Sequence, residues 1–374
     1  MRDYEHPLTP GGEKAIIIDV IPPGMNKREA LERLEELERL IDTFGGVTIL
    51  KIIQKRGRPS AKTYIGSGKA EEVVKLQKEL GATMVVINGF MKANQFHNLT
   101  LMIDCEVMDR FELILKIFAK HARTEKARLQ IRLAFLKYEF PRLFGKQAGH
   151  AQQRGGTGTV TRGKGEKLLE LKREHLRDQI RAIEKKLESI QKVHSGQRQR
   201  RKRQGFLTVA IVGYTNSGKS TLLKQITHKK NAYTANKLFA TLETKLGSLY
   251  IEDFPRTVLL ADTIGFIQDL PPLLFESFIT TLEEVTEADL VLHIIDAADL
   301  KIYEKIDTVE KILKDLECDK KPQLYVLNKM DMVKDKQKIL KTYAYLNPVT
   351  ISALQKEGFQ ELKTAIKNKF YEIF

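Results

Sequence analysis

The sequence predicts an α/β protein in three parts: two parallel-sheet domains joined through an antiparallel helical hairpin. Three observations predict it. Short apolar runs alternate with amphipathic stretches at both ends of the chain, as βαβ units require. Between them lie two long segments with apolar residues at helical spacing. The 374 residues, 42% of them hydrophobic, are also too many for one small core and enough to fill two or three domains.

The first part, residues 1–110, is expected to be a small βαβ domain. AIIIDVI is a strand, and MNKREALERLEELERLIDTFGG is a helix closed by its glycines. VTILKII is the next strand, followed by a loop holding Arg56, Gly57, Arg58 and Pro59. KAEEVVKLQKELG predicts a helix, TMVVIN a buried strand and NQFHNLTLMI a further helix. YIGSGKAEE lacks the spacing of a phosphate loop and reads as a glycine turn capping the helix it opens.

The second part, residues 111–204, is a two-helix arm. Its first helix is expected from about Arg110 to Pro141, with Leu129, Leu133, Leu136 and Phe140 on one stripe. Its second runs from about Glu166 to Val193, where Leu176, Ile180, Ile183, Leu187 and Ile190 alternate steps of four and three, a coiled-coil seam. A glycine-rich tip loop is expected at 149–166, and QRQRRKRQG ends the arm as a basic linker. The third part, residues 205–374, alternates strands and helices again. Its runs FLTVAIVG, TVLLADTIG, ADLVLHIID and PQLYVLNK end in glycine or polar residues, as in a doubly wound domain with its chemistry at the strand ends.

Net charge is +15, and its location matters more than its size. Residues 120–204 hold 24 Lys or Arg against 8 Asp or Glu, while the rest of the chain holds 39 against 40. An excess confined to one segment is the footprint of a polyanion, and nucleic acid is the expected partner. Two cysteines, Cys105 and Cys318, lack metal or redox spacing and read as reduced thiols. The N-terminus has no signal-peptide core and no apolar run reaches the length of a membrane span, so a cytoplasmic protein without a membrane partner is expected.

The third part carries the chemistry. GxxxxGKS stands directly after a strand and before a helix, the context a phosphate loop needs. Gly213, Tyr214, Thr215, Asn216, Ser217 and Gly218 would wrap the phosphates with backbone N–H groups, and Thr221 continues into the helix. Lys219 would reach the β- and γ-phosphates and Ser220 would ligate Mg²⁺. DTIG, with Asp262, Thr263, Ile264 and Gly265, would place a carboxylate near the magnesium shell and a glycine N–H at the γ-phosphate. NKMD adds Asn328, Lys329, Met330 and Asp331; Asp331 can accept from both N1 and N2 of guanine, which adenine cannot offer. In TISAL, the backbone N–H groups of Ser352, Ala353 and Leu354 can meet the guanine oxygen. Four motifs in this order, each after a strand, predict a domain that binds and hydrolyses GTP and releases GDP.

A threonine that touches magnesium only in the triphosphate state is also expected. Thr234, Thr241 and Thr244 are available, and Thr241 is preferred because Phe239, Ala240, Thr241, Leu242 and Glu243 look anchored. Lys219, Thr241 and Gly265 are then the catalytic set. Phe266 stands where the best-known GTPases place a water-orienting glutamine, so slow turnover by the free protein is expected. Asn216 is a candidate to hold K⁺ near the phosphates, with a loop-stiffening hydrogen bond as its alternative.

These residues, with YIGSGKAEEV, ARTEKARLQIRLAFLKYEFPRL, KLFATLE, DTIGFI and ADLVLHIIDAAD, resemble the HflX-type GTPases of the Obg–HflX group over nearly the whole chain. The resemblance implies binding to ribosomes, chiefly the large subunit and its RNA, with the arm tip directed towards the peptidyl-transferase region, and in some members the splitting of stalled or idle ribosomes. It gives the tip a role in which glycines allow close approach to RNA while Arg154, Arg162, Lys164 and Lys167 meet phosphates. The tip departs from the family pattern by about two inserted residues and by Lys164 where proline is common. Many bacterial members continue into a further domain, whereas this chain has about twenty residues after its SAL motif. A large-subunit assembly or storage factor and a signalling GTPase with a protein partner remain alternatives, and a monomer is expected.

Overall fold

The computed structural model describes residues 12–153, 159–227, 245–266 and 282–373, and within these the side chains outside 143–169 and of all but Lys27. Two compact units form, one from residues 1–120 with 131–185 and the other from 121–130 with 186–374.

In the first unit, β1 (Glu13–Ile21) leads into α1 (Lys27–Phe44), and β2 (Gly46–Lys55) follows. Asn26 caps α1 by accepting from the Glu29 N–H at 2.8 Å, and Gly45 closes it in the left-handed region at φ 101°. Next come α2 (Ser67–Leu80), β3 (Met84–Ile87), α3 (Ala93–Met102), β4 (Glu106–Asp109) and α4 (Arg110–His121). The four strands are parallel in the order β2-β1-β3-β4. Their core is built from Ile16, Ile18, Val85, Ile87 and Val107 packed on Val73 and Leu99.

The arm follows as α5 (Glu125–Gln153) and α6 (Thr159–Arg203). The helix expected from Arg110 to Pro141 is therefore two helices. Thr124 starts the second, its hydroxyl accepting from the Ala127 N–H at 3.2 Å. That helix runs through Pro141, because long flanking turns of good helix formers offset one lost backbone bond. The tip expected at 149–166 narrows: the backbone is helical to Gln153 and again from Thr159, with only 154–158 outside the described residues. Lys137 pairs with Glu184 at 3.0 Å, and Arg177 lies 5.7 Å from the Phe140 ring, the order of an antiparallel hairpin.

A buried ionic group ties α5 to the sheet of the first unit. Arg142 meets Asp109 at 2.8 Å and Glu112 at 3.2 Å, with its guanidinium over the rings of Tyr138 and Phe96 at 3.7 and 4.2 Å. Burial raises the Glu112 carboxyl to about 7 against the opposing pull of Lys116 and Arg142.

The second unit contains β5 (Leu207–Val212), α7 (Lys219–Ile226), β6 (Lys245–Leu249), β7 (Val258–Asp262) and the single turn α8 (Glu283–Thr286). It continues through β8 (Leu290–Asp296), α9 (Ile302–Asp315), β9 (Gln323–Asn328), α10 (Lys336–Thr342), β10 (Val349–Thr350) and α11 (Phe359–Ile373). The sheet order is β10-β9-β8-β5-β7-β6, parallel except for β6 against β7. The chain leaves β5 for β7 on one side and β8 on the other, so the carboxyl end of β5 is the switch point where open α/β sheets bind ligands.

The expected basic linker is the last turns of α6. Arg198 pairs with Glu283 at 2.8 Å, Arg201 with Glu284 at 3.2 Å and Lys202 with Glu287 at 3.0 Å. Part of the positive footprint is thus met by acids of the same unit.

Candidate functional site: a phosphate loop joined to a base-reading loop

The loop between β5 and α7 begins with Gly213 at φ +149°, where a Cβ would lie 2.3 Å from the Ile294 carbonyl. It closes with Gly218 at φ +96°, where a Cβ would lie 2.1 Å from the Asn328 amide nitrogen. Neither position admits a side chain. Between them Asn216 is exposed at φ 63°, while Thr215 and Ser217 are buried. The first N–H groups of α7, from Lys219 to Thr221, have no acceptor within the helix and open onto the loop.

Lys219 is 6% exposed and donates to the carbonyls of Gly213 at 3.0 Å and Tyr214 at 2.7 Å. Burial lowers its pKa to about 8, with Asp262 opposing and Lys329 adding to the fall. An incoming polyphosphate would return it to full charge. Ser220 Oγ donates to Asp262 Oδ2 at 2.7 Å, and Asp262 is fully buried. A hydroxyl and a carboxylate side by side are the hard oxygen donors that Mg²⁺ takes, so the residues present fit that ion.

Two side chains of the segment 262–266 turn inward. Thr263 turns inward, its hydroxyl donating to the Ile211 carbonyl at 2.8 Å, so it braces β5. Phe266 is 2% exposed and packs with Val212, Leu282 and Val285, so its ring belongs to the core. Its backbone zips the segment to the phosphate loop: its N–H donates to the Gly213 carbonyl at 3.1 Å and its carbonyl accepts from Thr215 at 2.8 Å. Ile264 is buried beside it, and at Gly265 a Cβ would lie 2.9 Å from the Thr215 Cα and 3.0 Å from the Lys219 ammonium.

Asn328 joins the motifs. Its amide donates to the Ser217 carbonyl at 2.8 Å and its Oδ1 accepts from the Ala353 N–H at 2.9 Å. Asp331 is exposed, with one carboxylate oxygen held at 2.6 Å by the Ser352 hydroxyl. Met330 is buried beneath it. Two of the three N–H groups expected to face guanine are committed within the protein, Ala353 to Asn328 and Ser352 to the Glu357 carbonyl at 3.1 Å. Leu354, 69% exposed, makes neither bond.

Three residues at this site had escaped the sequence reading. Asp296, at the end of β8, holds Lys329 at 2.6 Å. Lys305 of α9 lies 4.8 Å from the Tyr214 ring and pairs with Asp299. His293 is buried in β8. Only the Asp296 position carried a signal, a carboxylate at the end of an apolar run. Phe239, Ala240, Thr241, Leu242 and Glu243 lie outside the described residues, as does Arg154; the side chains of Arg162, Lys164 and Lys167 are likewise not described.

Three family descriptions match in order: GTP-binding GTPase N-terminal over residues 31–119, GTP-binding GTPase Middle Region over 121–201 and 50S ribosome-binding GTPase over 208–329. The GTPase HflX of Caldanaerobacter subterraneus subsp. tengcongensis is 41% identical over 360 residues, covering 96% of this chain and 81% of that protein. The chain belongs to the HflX family of GTPases. Escherichia coli GTPase HflX is 39% identical over 87% of this chain and 74% of its own. Among solved structures, the complex of SsGBP with GDP aligns over 96% of this chain and 98% of that one, at 26% identity and TM-score 0.53. A GTP-binding protein of Sulfolobus solfataricus in complex with GDP, at 24% identity and TM-score 0.50, shares the fold. Among the described residues no helix is long and apolar enough to cross a membrane.

Proposed function

We propose that this HflX-family chain binds and hydrolyses GTP, associates with the ribosome chiefly through the large subunit and its RNA, and splits or rescues stalled or idle ribosomes. The observation that carries the nucleotide reading is the Asn328 tie, which joins the phosphate loop, the loop bearing Asp331 and the SAL motif in one hydrogen-bonded unit. In this reading Lys219 and the N–H groups opening α7 hold the phosphates, Gly265 meets the γ-phosphate, and Asp331 selects guanine. Mg²⁺ would be held by Ser220 with Thr241, near Asp262, and when bound would neutralise the charge on the β- and γ-phosphates. Asn216, at the exposed apex of the loop, is the proposed contact for K⁺.

With the Phe266 ring in the core, no side chain at that position can orient water, and turnover by the protein alone is slow. The ribosome reading is supported by the basic arm and by the family description 50S ribosome-binding GTPase matched at 208–329. GTP acts by favouring the ribosome-bound form, which requires different affinities in the GTP and GDP states. Sedimentation with purified large subunits tests this. Binding that is tighter with a non-hydrolysable GTP analogue than with GDP, and that weakens steeply with salt, is expected; equal binding in both states contradicts it.

A further inference from the structure

Behind the phosphate loop lies a cavity of about 10 Å³. Thr215 and Ser217 wall it from the loop, His293 from β8, and Ile302, Lys305 and Ile306 from α9. Three buried atoms of these residues, Thr215 Oγ1, Ser217 Oγ and His293 Nδ1, have no hydrogen-bond partner among the described residues. Buried polar groups without partners are costly, and native interiors hold few of them. Three on one wall system are therefore a statement about what belongs between them. The volume is that of a single water, and three polar partners are the usual number for a buried one.

The surroundings favour water over an ion. Asp296 also lines the space, but its carboxylate is engaged by Lys329 at 2.6 Å; with Lys305 on the same lining and Lys219 close enough to act on His293, a cation is disfavoured. Chloride is too large for it. Burial, reinforced by Lys219, pushes the imidazole down to about 3, so His293 stays neutral and can donate or accept as a water requires. Its placement is also suited to control of the loop: across the β8–β5 ladder His293 pairs with Val212, the residue just before Gly213.

We propose that one internal water occupies this cavity and that through it His293 acts as a positioning residue, holding the Thr215–Ser217 segment in the shape that receives the nucleotide phosphates. The inference rests on the nucleotide reading above. His293→Leu removes one of the water's three partners and leaves it only the two hydroxyls, while His293→Asn keeps a polar atom near the position of Nδ1. The His293→Leu protein is expected to bind GDP and GTP about tenfold more weakly. Its KM for GTP should rise by the same factor, with kcat changed less than about twofold. His293→Asn is expected to restore most of the affinity, which a mere packing role for the ring would not allow. A high-resolution crystal structure of the unaltered protein with GDP should show one water within hydrogen-bond reach of all three atoms. A dry cavity, or a folded His293→Leu protein with unchanged GDP affinity, overturns the proposal. If His293→Leu does not fold, the His293→Asn protein and the crystal structure decide. If the unaltered protein binds neither GDP nor GTP, the nucleotide reading has failed, and a crystal structure of the protein alone still decides whether the water is there.

Discussion

In the proposed function, Asp331 is the residue on which the choice of base rests. One of its oxygens is already engaged by Ser352 at 2.6 Å, which fixes the carboxylate plane before any base arrives. Asp331→Asn would present an N–H to the guanine N1 and N2 protons, so GTP affinity should fall at least about a hundredfold, as for two charge-assisted bonds lost. The same substitution should admit xanthosine triphosphate, whose oxygen replaces the exocyclic amine. Competition binding with both nucleotides measures this, and unchanged preference for GTP would remove Asp331 from the base site. The phosphate-loop motif was legible because such loops demand glycine, lysine and hydroxyl at fixed spacing. The inward turn of Thr263, the Asp296–Lys329 pair and the burial of His293 were not, because each depends on a neighbour from a distant strand.

At the scale of elements, two ionic groups set how helices are held. Around Arg142, Glu112 titrates near 7, above its ordinary range because it is buried. A carboxyl raised in the folded state contributes stability below its unfolded pKa, and that contribution is lost as pH rises through about 7. Glu112→Gln should therefore be the more stable protein at pH 8 by about 2 kcal/mol, with little advantage near pH 4. Denaturant melts of the first unit's signal at both pH values check the sign. The second group is the Arg198, Arg201 and Lys202 set against Glu283, Glu284 and Glu287. Replacing the three glutamates with glutamine should free three cations, so non-specific RNA binding should strengthen at low salt and show a steeper salt dependence. An unchanged slope would mean that these cations were already available. The hairpin was readable from its heptad-like seam, and the Thr124 start was written in ARTEKA. Pro141 misled, since a helix this long absorbs one missing bond. The edge strands β6 and β10 were missed because short pieces such as Lys-Leu-Gly-Ser-Leu carry no periodicity.

Across the whole molecule, the sequence divides its labour by charge: a near-neutral pair of α/β regions and an arm with an excess of 16 positive charges. Part of that excess is met by acids, at Arg198, Arg201 and Lys202 and also at Lys137, Arg142, Arg173 and Arg181, so fewer cations are available to a polyanion than the count alone implies. Nucleotide site and basic arm make sense together if occupancy of one is reported to the partner of the other. In the proposed function the catalytic site, with the Phe266 ring in the core, depends on that partner for speed. The most direct test is GTP turnover by the purified protein with and without purified large ribosomal subunits. A stimulation of tenfold or more, lost in Lys219→Ala, is predicted. Turnover equally slow with and without large subunits would contradict the account and send the search for the arm's partner elsewhere.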